Sequence, residues 1–242
     1  MKEKSGVLFI AVAMIIVAVI LGNAWTKSHQ SSSNLIYVTG LAEKNFTSDL
    51  IVWKCSFSRK SQSIKDAYKI LKDDEEIIKS YLIHQGVSDK EFVFSAIGIN
   101  KEYHQVFNDK VQSQVFDGYR LVQNVSISSK DVEKIEAVSR SITELIEKDI
   151  ELNSMPPQYF YTKLEELKIE MLAKATSDAR IRAEQIAQNA GSKLNGLKSA
   201  NMGVFQITAQ NSSENFTYGG VFNTTSKEKT ASITVKLEFG IN

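Results

Sequence analysis

Ala231-Ser232-Ile233-Thr234-Val235-Lys236-Leu237-Glu238-Phe239 alternates apolar and polar residues without a break. Successive side chains of a β-strand point to opposite faces, so this run predicts a strand with Ala231, Ile233, Val235, Leu237 and Phe239 inward. Ser232, Thr234, Lys236 and Glu238 then face water. A sheet that is dry on one face only points to antiparallel pairing, because the crossovers of a parallel sheet cover both faces. The dry face needs helices against it.

Upstream, residues 209–226 are rich in Asn, Ser, Thr and Gly and read as a long exposed loop. A further strand lies within Leu197 to Thr208. Before it, the pattern from Leu164 to Ala190 predicts the longest helix, stopped by Gly191. Its most regular face is small: Ala175, Ala179, Ala183, Ala187 and Ala190. Methyl-sized side chains let one backbone approach another closely, so this helix is expected to lie tight on a sheet or a second helix.

The first half alternates hairpin-like strand pairs with helices. Leu35 to Gly40 reads as a strand ended by Gly40, and Leu50 to Phe57 as a second strand. Ser63 opens a helix with Asp66 three residues on, and Gly86 stops it. Phe92 to Ile99 and Tyr119 to Ile127 are expected strands, with Lys101 to Asp117 as a polar connection between them. Ser128 or Ser129 is expected to cap the next helix, whose stripe is Val132, Ile135, Val138, Ile142, Leu145 and Ile146. Met155-Pro156-Pro157 interrupts, and Tyr159-Phe160-Tyr161 suggests a short strand. The predicted class is α+β: a largely antiparallel sheet with helices packed on one face, preceded by one N-terminal transmembrane or signal helix.

That N-terminal segment stands apart. Fifteen apolar residues run from Val7 to Leu21, and no charge occurs in the 22 residues between Lys4 and Lys27. A helix rising ~1.5 Å per residue could cross a hydrocarbon core of about 30 Å with that length. Val7, Ile15, Leu21 and the interfacial aromatic Trp25 are the expected membrane-anchor residues. Gly22-Asn23-Ala24 before Trp25 equally suits a signal-peptide cleavage site, so an anchor and a cleaved signal both stand. The expected divisions are residues 1–26 as anchor or signal, 27–34 as a polar tether and 35–242 as one α+β domain.

Composition narrows the function classes. Lys and Arg number 29 against 28 Asp and Glu, so no net field favours nucleic acid. Cys55 is the single cysteine, shares the odd-numbered face with Ile51, Trp53 and Phe57, and is expected to be a buried core thiol. His29, His84 and His104 lack partners at metal-ligand spacing, and Asp73-Asp74-Glu75-Glu76 reads as a solvated helix face. No phosphate loop or nucleophile motif is present. No catalytic residue, cofactor or metal is therefore assigned.

Several spaced segments do agree with one known pattern. Across the long helix the residues run Ala175-x-x-x-Ala179-Arg180-x-x-Ala183-Glu184-x-Ile186-Ala187-x-x-Ala190-Gly191-x-x-Leu194-x-Gly196. Val38-Thr39-Gly40-Leu41-Ala42-Glu43, Leu50-Ile51-Val52-Trp53 and Gly118-Tyr119-Arg120 with Val125-Ser126-Ile127 precede it in order. This arrangement, over about residues 36–240, resembles the SIMPL-domain (DUF541) family. The resemblance implies a bacterial cell-envelope location, either anchored in the inner membrane with the domain in the periplasm or extracytoplasmic space, or secreted or periplasmic after signal cleavage. It also implies homo-oligomers in some members, and it supplies no catalytic motif.

The expected function is thus a membrane-anchored or exported, non-enzymatic, self-associating structural or interaction module linked to envelope integrity or stress. An envelope enzyme or ligand-binding protein whose site assembles only in the fold is the alternative, and a ring or channel-like component is a third.

Overall fold

The computed structural model describes residues 13–25, 34–108 and 111–242. The chain divides into two compact units built from interleaved segments. The first comprises Met1–Lys44, Glu166–Phe205 and Ser232–Asn242, the second Asn45–Glu165 and Gln206–Ala231. The span 35–242, read above as one domain, holds both units, and the expected single sheet is two antiparallel ones.

In the first unit the sheet order is β1 (Leu35–Thr47), β10 (Glu228–Ile241), β8 (Leu194–Met202). Strands β10 and β8 are antiparallel, with Val235 opposite Met202 and Leu237 opposite Ala200, and bulges follow Glu238 and Phe239. Ile233, Val235, Leu237 and Phe239 are buried as their alternation predicts. The long helix α4 (Leu164–Asn189) buries Leu167, Met171, Ala175, Ala179, Ala183 and Ala187. Ala190, counted in the stripe above, lies exposed beyond the helix end, where Gly191 takes φ +71°.

Gly40 does not end β1, which continues to Thr47. The residue lies mid-strand beneath α4, where a Cβ would meet the Ala179 amide nitrogen at 2.6 Å and the Ala179 Cβ at 2.7 Å. Glycine marks a close backbone approach here, not a turn. Next to it the Leu41 amide donates to Asp178 Oδ2 of α4 at 3.0 Å, and Lys44 pairs with Glu170 at 2.6 Å. Held by Lys174 and Lys44, the Glu170 carboxyl sits down at about 2.

The second unit centres on β2 (Leu50–Ser61), flanked by β5 (Val111–Ser129) on one side and by β6 (Glu151–Ser154) and β7 (Gln158–Phe160) on the other. Trp53 lies opposite Ile127 and Cys55 opposite Val125 in an antiparallel ladder. Their shared face carries Ile51, Trp53, Cys55, Phe57, Leu121, Val125 and Ile127, all buried against Ala67, Leu71, Ile78 and Leu82 of α2 (Ile64–His84) and against Val132, Ile135 and Val138 of α3 (Val132–Ser141). Ser63 caps α2 by accepting from the Asp66 amide, and Gly86 follows with φ +79°.

Three local expectations are corrected in this unit. Helix α3 is capped by Asp131, whose carboxylate accepts from the Lys134 amide at 3.2 Å, while Ser129 accepts from the Asp131 amide and donates to Glu91. The stripe continuing to Ile146 belongs instead to a 3₁₀ segment, Ile142–Lys148, ended by Asp149 in the left-handed region at φ 61°. Residues 101–108 and 111–117 are not a loose connection. They form β4 (Gly98–Asn108) and the start of β5, paired antiparallel, while β3 (Phe92–Phe94) is a separate short strand on β5. Polar residues on both faces hid that hairpin, because period-2 alternation identifies a strand only where one face is buried. The expected loop before β10 is present, entered from the four-residue strand β9 (Gln206–Ala209), which pairs with β10.

Candidate functional site

Of the expected anchor residues, Val7 lies outside the described residues. Ile15, Leu21 and Trp25 sit on helix α1, residues 13–25, where all three are exposed. Among the described residues no helix is long and apolar enough to cross a membrane. The tether residues 27–33 also lie outside the described set.

A concavity opens along α2. The i, i+4 spacing of Glu76, Ser80 and His84, and of Ile77 and Tyr81, puts these side chains on one helical face. With Lys148 from the 3₁₀ segment they line a hollow of about 490 Å³. Tyr81 donates its hydroxyl proton to Ser141 Oγ at 2.8 Å, so the phenol is committed. Among the described residues no hydrogen bond joins Ser80 to His84 or Glu76, and a nucleophile without a bonded base is not activated. The hollow is large enough for a small polar molecule.

A denser group of charges lies on the solvent face of the β2–β5 sheet. The register sets Lys60 directly opposite Arg120, a like-charged pair that is unfavourable alone. Three carboxylates offset it. Arg120 reaches Glu102 at 2.5 Å, Ser58 at 3.1 Å and both Glu151 oxygens at 3.0 and 3.1 Å. Lys60 reaches Asp117 at 2.6 Å and Glu102 at 2.9 Å, and His104 Nδ1 lies 3.6 Å from Asp117. Arg120 and then Lys60 hold the Glu102 carboxyl below its usual range, and Lys60 does the same to Asp117. Four acceptors engage Nε and Nη1 of Arg120, which also lines a neighbouring hollow of about 290 Å³ with Ser56, Ser58, Glu151 and Asn153.

Elsewhere polar groups are internal. Asp74 is buried and grips Arg59 of β2 through both oxygens at 2.5 and 2.8 Å, which corrects the reading of residues 73–76 as a wholly solvated face. Cys55 is buried, and desolvation pushes its thiol up to about 11, so it is not a nucleophile at neutral pH. His84 and His104 are exposed, and among the described residues no cluster of three or more His, Cys, Asp or Glu is placed to hold a metal. Sequence reasoning missed Arg120, Glu102 and Lys60 as a group because their meeting depends on strand register across residues 60–120. The one available signal was the polar period of residues 100–120 on both faces.

A family model for a protein of unknown function, SIMPL (DUF541), matches residues 36–239. The chain belongs to the SIMPL family. No curated protein matches it. The matched SIMPL span starts inside β1 and ends inside β10, so it takes in both compact units. Gly40, the alanine face of α4 and the Tyr119-Arg120 strand, which carried the resemblance, are respectively a backbone contact, a packing face and the centre of the charge lattice.

Proposed function

We propose that this SIMPL protein is a membrane-anchored, extracytoplasmic interaction module of the bacterial envelope that self-associates and does no chemistry. The Arg120 lattice carries this reading: the densest charges on the sheet face pair with one another across β2, β4, β5 and β6. Such a face suits a stable scaffold. Anchoring rests on the charge-free run between Lys4 and Lys27. A hydrophobic span is not released by charge screening, so the protein is expected in the membrane fraction after a high-salt wash, with an intact mass that includes Met1. A mature chain starting at Trp25 would overturn the anchor and leave the exported form.

The hollow on α2 favours one second reading, binding of a small polar ligand between Glu76, His84 and Lys148. Chemical-shift changes confined to these residues on titration with envelope-derived sugars or peptides would support it. A flat response across such a set would leave the scaffold reading alone.

A further inference from the structure

Residues 210–227, between β9 and β10, display three aromatic rings to water: Phe216 is 61% exposed, Tyr218 fully so, and Phe222 50%. They are held by a polar framework beneath. Gln206, buried, donates to the Thr217 carbonyl at 2.9 Å and accepts from the Val221 amide at 2.8 Å. Glu214 accepts from the Ala209 amide at 3.2 Å and from the Asn223 side chain at 2.5 Å. Lys229 is buried and donates its ammonium to the Asn223 carbonyl. A loop ordered in advance loses little entropy on binding, and aromatic rings among Asn, Ser, Thr and Gly are the make-up of recognition loops.

The same unit carries a matching hollow. Val52, Met155, Pro156 and Pro157 give it apolar walls around about 400 Å³, with Lys54 and Gln158 at its polar side. Thr225, from the aromatic loop itself, also lines it, so ring-bearing loop and hollow adjoin. Their charges are complementary. Glu214 is the only charged side chain in residues 210–226, and Lys54 is the only one lining the hollow. Lys54 makes no ion pair among the described residues, which leaves its ammonium for a ring face.

We propose that Phe216 and Tyr218 seat in the Met155-Pro156-Pro157 hollow of a second copy of this chain. A projection and a hollow side by side on one surface are what a two-fold axis requires, since each copy's rings then meet the other's hollow. A lipid surface fits less well: the one Lys or Arg in residues 210–227, Lys227, is engaged by Glu133 at 2.8 Å, and residues 210–226 carry none to meet anionic headgroups. This surface rests on the self-association reading and names its contact.

Two tagged forms of the full chain in detergent micelles test it, one carrying Tyr218→Cys and the other Met155→Cys. Mild oxidation of the mixture is expected to give a disulfide-linked heterodimer, while buried Cys55 stays reduced. Phe216→Ser with Tyr218→Ser is expected to weaken association at least about tenfold by sedimentation, with thermal unfolding unchanged because both rings are exposed. A monomeric wild-type chain would overturn this surface together with the self-association reading. A wild-type chain that associates, with its affinity unmoved by the double substitution, overturns the surface alone. No heterodimer, with a fluorophore at position 218 quenched by brominated lipid, assigns the loop to the bilayer and also overturns it.

Discussion

Ala179 occupies the space that a side chain on residue 40 would need: a Cβ on Gly40 would lie 2.7 Å from the Ala179 Cβ. The other contacts are the Ala175 carbonyl oxygen and, at 2.6 Å, the Ala179 backbone nitrogen, and backbone cannot rotate aside as a flexible side chain can. Helix α4 therefore rests on bare strand backbone. Gly40→Ala is expected to destabilise the domain by about 1–3 kcal/mol, even though alanine is the better residue in a generic strand. Gly196→Ala, which would meet nothing within 4 Å, is the control. Equal urea midpoints for the two variants would mean that α4 does not approach β1 this closely.

The rest of the alanine face behaves alike. Ala183 is fully buried on α4 whereas Gln188 is exposed, so Ala183→Leu should lower the urea midpoint and Gln188→Leu should leave it nearly unchanged. Overpacking a closed site costs about 1–3 kcal/mol, against a few tenths for an exposed helical position. Equal midpoints would show that the methyl face is not a packing surface.

Arg59→Ala leaves the Asp74 carboxylate buried without its bidentate partner. Breaking a buried pair from one side costs about 3–5 kcal/mol, and because Arg59 is 22% exposed the low end is expected. Thermal unfolding of Arg59→Ala and of the double variant Arg59→Met with Asp74→Leu separates charge from packing. Recovery of most of the loss in the double variant is the expected result.

Lys229 titrates in a reachable window. Burial pushes its ammonium down to about 8 from an ordinary value of 10.5, so between these values the unfolded chain holds more protons than the folded one. Stability contributed by this group therefore rises with pH through that window and is lost as pH falls through 8. Relative to Lys229→Met, the wild type should gain up to roughly 3 kcal/mol between pH 7.5 and pH 10.5, read as the difference in urea midpoints. Taking the difference cancels the burial-raised Cys55 thiol, which pulls the other way. A pH-independent difference would place Lys229 in water.

Much of the fold follows from local chemistry alone. Trp53 and Cys55 were legible as core because alternation next to a wet face leaves one side for burial, and Ser63 as a cap because its partner lies three residues away. Gly40 was misread as a stop: a glycine that ends a strand and one that admits a helix look identical until the helix is placed. Asp131 displaced Ser129 as the α3 cap because Ser129 is drawn to Glu91, a residue 38 positions away.

By itself the sequence determined the strands with one buried face, the long helix with its methyl stripe, the apolar N-terminal run and the family, since each depends on spacing within a short window. Only the tertiary structure decided the division into two units, the Arg120 lattice and the hollow beside the aromatic loop. These depend on register and on pairings between distant segments, as when Lys60 meets Arg120 across β2 and β5 or Met155 and Thr225 line one hollow. A one-residue slip in such a ladder turns every side chain to the other face, so local pattern restricts which residues meet without selecting the pairs.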